Sequence, residues 1–254
     1  RCEAFQQRAR DPGKQRTHNI RLPPTRYMTL VTGYRGWIGG LLYKAIGANG
    51  LDLMDGDDLL TCPLPEADVV YHLAAQSSVV KSWEDPVLDS YNLPMTVRMV
   101  HNYPDAKLIY TTSAAPNDSS PYAFSKWAGA EYIKKFHRNY VVCQLPNVYG
   151  PGSRSVVDFF KENDDVTIYG VGEQTRDYVH VDDIVRGLIQ AAYWPTGYYQ
   201  LGSGIVTSML DLAEGKKITF APPRKEAQDA VIQNTTPDWA PRIVLRDYLY
   251  ENHS

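Results

Sequence analysis

Long apolar runs are missing from this chain of 254 residues. No stretch reaches the roughly 18 consecutive apolar residues of a membrane-spanning helix, so none is expected to cross a bilayer. Cysteine is scarce. Cys2, Cys62 and Cys143 are the three present, an odd set without metal-type spacing that fits a reducing compartment and a cytoplasmic location. Positive charge is not in surplus: the formal net charge is −3, which argues against a general nucleic-acid binder. Internal repeats and low-complexity tracts are absent too. Residues 1–27 hold seven Lys/Arg against two Asp/Glu, without apolar periodicity or the apolar core of a signal peptide. They are read as an extension outside the fold. The remaining length suits one large α/β domain or two interleaved smaller ones.

The informative stretch is TSAAPNDSSPYAFSK, residues 112–126. Pro121 suits the first turn of a helix that Ser119 or Ser120 can cap. Tyr122 and Lys126 are then i and i+4 on one face. An ammonium beside a phenol favours the phenolate. A tyrosine working as a base near neutrality needs its pKa lowered by roughly 3 units from ~10, about 4 kcal/mol, which a lysine and a cationic cofactor ring could supply together. Ser113 ends the apolar run LIYTTS, where a strand would deliver its hydroxyl beside the tyrosine.

Upstream, MTLVTGYRGWIGG spaces Gly33, Gly36 and Gly39 as G-x-x-G-x-x-G between an apolar run and helically spaced Ile38, Leu41, Leu42, Ala45 and Ile46. Strand, glycine turn and helix are the setting of a dinucleotide site. The short run LDLMD ends in Asp55, a candidate for the ribose hydroxyls of NAD, with Asp57 and Asp58 adjacent. Arg35, inside the turn, pulls toward NADP because it could meet a 2′-phosphate; NAD is favoured.

ADVVYHL, KLIYTTS and YVVCQL read as further strands and residues 86–103 as a helix despite Pro94. NVYGPG reads as a loop. His72 is expected to be a packed strand histidine. Alternating strands and helices imply an α/β fold of Rossmann type, a doubly wound parallel sheet, with a small C-terminal substrate-binding lobe. Residues 28–148 would form the dinucleotide-binding domain. Residues 149–254 would form mainly the substrate lobe, with segments near 178–203 returning to the first domain.

TGYRGWIGG, DVVYHLAAQSSV, SPYAFSKWAGAEY, LPNVYGPG, GEQTRDYVHVDDIV and YYQLGSGIVTSMLDLAE, in that order, resemble the extended short-chain dehydrogenase/reductases. Within these the likeness is to the NAD-dependent nucleotide-sugar epimerases and dehydratases. The resemblance implies Ser113, Tyr122 and Lys126 as catalytic residues. It implies Gly33, Arg35, Gly36, Trp37, Ile38, Asp55, Leu59, Leu73, Ala74, Ala75 and Asn92 as cofactor contacts, joined by Tyr122 and Lys126. Gln76, Ser113, Asn147, Arg176 and Arg224 would meet a nucleotide-diphosphate sugar, although the Gly-Asp that usually follows the second arginine is absent after Arg224. The chain is a compact version: it lacks room for a helix and strand between Asp55 and Val69, and carries Gln144 where an arginine is common. Dehydratases usually place an Asp-Glu pair after the active-site Thr, whereas Ala114 and Ala115 follow Ser113. The implied reaction is NAD-dependent epimerisation at C4 through a 4-keto sugar. Reduction of a nucleotide 4-keto sugar with NADPH, sugar dehydration and a non-catalytic dinucleotide-binding role are the alternatives. A homodimer is left open, and no nucleic-acid or membrane partner is expected.

Overall fold

The computed structural model describes residues 27–223 and 229–250, so the N-terminal segment before residue 27 and Arg224 lie outside the described residues. Strand β1 (Thr29–Thr32) runs into helix α1 (Trp37–Ile46), followed by β2 (Asn49–Leu51) and β3 (Val69–His72). Helices α2 (Val79–Glu84), α3 (Pro86–Ser90) and α4 (Asn92–Asn102) precede β4 (Lys107–Ser113), α5 (Pro121–Phe136) and β5 (Tyr140–Leu145). The single helix expected over 86–103 is thus two, parted at Tyr91. Both prolines are accommodated in first turns. Pro86 opens α3 behind the capping Asp85, and Pro94 precedes Met95, whose N–H reaches the Tyr91 carbonyl at 3.1 Å.

Beyond β5 come β6 (Asn147–Tyr149), α6 (Val156–Glu162), β7 (Asp165–Tyr169), β8 (Thr175–Arg176) and β9 (Tyr178–His180). They are followed by α7 (Val181–Ala191), β10 (Gly197–Gln200), β11 (Thr207–Ser208), α8 (Met209–Leu212), β12 (Lys217–Ala221) and α9 (Leu245–Tyr250). The expected NVYGPG loop begins as strand β6, because β9 offers it a parallel partner outside the main sheet, with Asn147 opposite Tyr178.

The main sheet has six parallel strands in the order β10-β5-β4-β3-β1-β2. Successive side chains on a strand point to opposite faces. Val31, Tyr71, Ile109 and Val141 accordingly pack with Leu42 of α1 and Ile184 and Leu188 of α7. Leu30, Val70, Leu108 and Val142 pack on the other face with Met99 of α4 and Ile133 of α5. Burial on both faces is why these strands read as unbroken apolar runs. Tyr149, Val157, Phe160, Ile168 and Leu212 form a third, smaller core. The crossover direction reverses at β1, which has β2 on one side and β3 on the other, and a crevice is expected beyond the carboxyl ends there.

Candidate active site

Gly33, just past β1, has φ 75°, a left-handed conformation that favours glycine. A Cβ on it would lie 2.7 Å from the backbone of Ala74, and one on Gly39 would lie 2.1 Å from the Gly33 carbonyl oxygen. Lacking side chains, the turn closes against the exit of β3 and the start of α1. The resulting backbone cradle faces a helix N-terminus, a setting that fits the pyrophosphate of a dinucleotide.

A cleft of about 860 Å³ opens here. Gly33, Arg35, Gly36, Trp37 and Ile38 line it from the turn, and Leu73, Ala74, Ala75 and Gln76 from the exit of β3. Leu59, Ser113, Tyr122 and Lys126 complete the expected residues in its wall. The Trp37 indole donates to the Pro151 carbonyl at 3.0 Å, linking the turn to the loop after β6.

Ser113 ends β4 and its hydroxyl accepts from the Ala115 N–H at 3.1 Å. Its carbonyl accepts from Gln144 Nε2 at 3.1 Å, and Gln144 accepts from Gln200 at 2.8 Å. The residue standing in for an arginine therefore braces the Ser113 backbone. Ser120 caps α5, accepting from the Ala123 N–H at 3.1 Å, and one helical turn brings Tyr122 and Lys126 to the same cleft. Lys126 is 3% exposed, with its Nζ 4.1 Å from the centre of the Tyr110 ring. Burial pushes Lys126 down to about 7. Burial, with the Asp89 carboxylate second, pushes Tyr122 up to about 12. In the protein without a cofactor the phenol is thus raised, whereas the expected lowering rested on the lysine and a cationic cofactor ring together. Desolvation disfavours both charged forms.

Asp55 departs from its expected place. β2 ends at Leu51, and Asp55 closes a single 3₁₀ turn, Leu53–Asp55. Its two oxygens take the Arg35 guanidinium and the Tyr34 hydroxyl, and it does not line the cleft. Asp52 directly follows β2 and does line it. Its carboxylate accepts the Arg35 N–H at 3.0 Å and the Met54 N–H at 2.9 Å. Taking LDLMD as one strand passes over this residue; its signal is the acid directly after Leu51, before the Leu53-Met54 pair.

Asn92 is likewise a brace and not a cleft residue. It is buried, accepts the Gln76 N–H at 2.9 Å and donates to Ser125 Oγ at 2.9 Å, tying the loop after β3 to α5. Gln76 lines the cleft with its amide donated inward, to the Ser78 carbonyl at 3.0 Å and Asp89 at 3.1 Å. Asn147 and Arg176 lie on the short strands β6 and β8, outside the cleft wall, while Val148 next to Asn147 is in it. Arg176 Nη1 donates to the Thr175 carbonyl at 2.8 Å, and burial lowers its pKa. His72 is fully buried between the Thr32 and Thr96 hydroxyls, at 2.8 and 3.2 Å, and burial holds it down to about 3. Among the described residues, no group of three or more His, Cys, Asp or Glu is placed to hold a metal, and no helix is long and apolar enough to cross a membrane.

Residues 48–198 match the family described as the NAD dependent epimerase/dehydratase family. The UDP-glucose 4-epimerase of Mycolicibacterium smegmatis is 30% identical, in an alignment covering 86% of this chain and 95% of the relative. The Thermus thermophilus UDP-glucose 4-epimerase, solved in complex with NAD, is 25% identical with a TM-score of 0.65, covering 80% of this chain and 90% of that one. The Thermotoga maritima UDP-glucose 4-epimerase, solved with UDP-glucose, has a TM-score of 0.74 at 24% identity, covering 87% and 96%, and shares the fold.

Proposed function

This chain belongs to the NAD dependent epimerase/dehydratase family, and from that footing we propose that it epimerises a nucleotide-diphosphate sugar at C4, with NAD as cofactor. The observation that carries this reading is the meeting of Ser113, Tyr122 and Lys126 with the glycine cradle in one cleft. A dinucleotide held there supplies a reversible hydride acceptor, which inversion at C4 through a transient 4-keto sugar requires. Tyr122 takes the proton of the sugar 4-hydroxyl and later returns it. Ser113, anchored by Gln144, holds the same oxygen by hydrogen bond. Lys126 supports the phenolate from the next turn. Asp52, which lines the cleft where Asp55 does not, receives the adenosine ribose.

Gln76, Asn147 and Arg176 remain proposed substrate contacts, with the diphosphate nearest the arginine. In this reading residues 28–148 hold the dinucleotide and 149–254 mainly the sugar, with 178–203 returning to the larger lobe. Ala114 and Ala115 leave no carboxylate directly after Ser113, which speaks against dehydration. A homodimer and a cytoplasmic location belong to the same proposal. Phe124 and Trp127, 57% and 40% exposed on α5, offer an apolar face for self-association, and Cys62 and Cys143 are free thiols.

The deciding experiment incubates the protein with UDP-, GDP- and dTDP-sugars without added reductant and follows the C4 configuration by NMR. Inversion of at least one sugar supports the reading. Turnover that appears only with added NADPH would replace it with a reductase.

A further inference from the structure

We infer that Asp55 is a cofactor-selectivity latch: it holds the Arg35 guanidinium away from the adenosine ribose, so that a 2′-phosphate finds no cation there. The inference rests on the cofactor reading above and assigns Asp55 a task other than touching the ribose.

The geometry is built from three residues around the glycine turn. The Arg35 N–H donates to Asp52 at 3.0 Å, so the acid placed for the ribose and the backbone of Arg35 are direct neighbours. If Asp52 receives the ribose, as proposed above, the Arg35 side chain starts from the residue next to that ribose site. Among the described residues, the basic side chains in the cleft wall are Arg35 and Lys126; Lys126 is buried beside Tyr110, which leaves Arg35 as the described cation at the turn. That guanidinium is already engaged by one oxygen of Asp55.

Asp55 is itself held. Its other oxygen takes the Tyr34 hydroxyl. The Tyr34 ring stands 4.7 Å from that of Tyr43 and fills the space over Gly50, where a Cβ would lie 2.5 Å from the ring. The packing of a tyrosine on strand β2 thereby fixes the carboxylate, and the carboxylate fixes the arginine. The hydrogen bonds from Arg35 and then Tyr34 hold Asp55 down to about 2, so the latch stays charged at neutral pH.

A part-exposed ion pair alone contributes little. Here the approach of a phosphate is opposed as well by Asp52, Asp57 and Asp58, which line the cleft beside the turn. Removing Asp55 frees a guanidinium that a 2′-phosphate can meet with two hydrogen bonds, in competition with those three carboxylates.

The test measures the Kd of NAD⁺ and NADP⁺ by calorimetry on full-length protein stripped of bound dinucleotide. Wild type is expected to prefer NAD⁺. Asp55→Asn should shift the ratio of the two constants toward NADP⁺ by about tenfold or more, the factor that one added charged hydrogen bond supplies. Asp55→Asn combined with Arg35→Gln should lose that gain. An unchanged ratio in a folded Asp55→Asn protein overturns the latch. So does a gain that persists in the double variant, since it would come from the lost repulsion alone. Should Asp55→Asn not fold, Tyr34→Phe loosens the same carboxylate and must move the ratio in the same direction. Wild-type protein that binds neither dinucleotide overturns the cofactor reading itself, a result distinct from an unmoved ratio.

Discussion

The Lys126 ammonium stands 4.1 Å from the centre of the Tyr110 ring, almost wholly removed from solvent. A lysine in that position costs stability when charged, and its pKa of about 7 in the folded chain lies below the ~10.4 of an unfolded one.

Between those two values the unfolded state binds more protons, so stability rises with pH across that window and the penalty is complete below it. Ligand-free Lys126→Met is therefore expected to melt above wild type at pH 7, by the equivalent of a few kcal/mol. The gap should close as pH approaches ~10. Thermal melts of both proteins across this range give the answer, and a gap independent of pH refutes it.

Tyr122→Phe removes the one hydroxyl proposed to move a proton. Turnover should fall by ~10²–10⁴-fold, while NAD affinity stays within a factor of about two, because only a proton-transfer group is lost. Stopped assays read the first quantity and calorimetry the second. A variant retaining more than half of wild-type turnover ends the assignment of Tyr122 as base.

Arg176→Ala should weaken nucleotide-sugar binding by roughly ten- to a hundredfold, as a charged hydrogen bond or two to a diphosphate contributes about 1.5–3 kcal/mol each. NAD affinity should not change, and Arg176→Lys should recover part of the loss because an ammonium cannot make the paired contact. Equal losses for both ligands would mean that the arginine serves β8 alone.

Asp183 and Arg186 form a buried ion pair on α7, with side chains 3% and 8% exposed. Asp183 also accepts the N–H groups of Arg242 and Ile243, at 2.7 and 2.8 Å, and Arg186 donates to the Ala240 carbonyl at 2.6 Å. Asp183→Ala would strand a buried cation and two backbone donors, a loss of about 3–5 kcal/mol. Urea unfolding measures the cost. Early proteolytic cleavage between residues 230 and 243 would show where the chain comes loose.

Much of this protein was legible because its signals are local. A glycine turn between an apolar run and a helix, and Pro121 behind a capping serine, declare their backbone geometry in a few letters. The doubly buried strands were visible as apolar runs for the same reason. What stayed hidden depends on distant partners. β6 is a strand only because β9 lies beside it. Asn92 faces inward because Gln76 and Ser125 are there to receive it. Asp52 and Asp55 differ by one 3₁₀ turn that no periodicity marks. The acidity of Tyr122 depends on how much water burial removes, which the spacing of Tyr122 and Lys126 does not encode.

Strand β10 pairs with β5, with Tyr198 opposite Val142, although the whole of β6–β9 lies between them in the chain. The last strand of the sheet is thus added only after the chain has run out through the smaller lobe and back. Closing so long a loop carries an entropy cost that grows with the logarithm of its length and must be met before the new contacts form. Completion of this edge is a natural late step in folding. A nascent chain would expose β5 as an unpaired edge until residue 200 has emerged, and aggregation of truncated products is the hazard that follows.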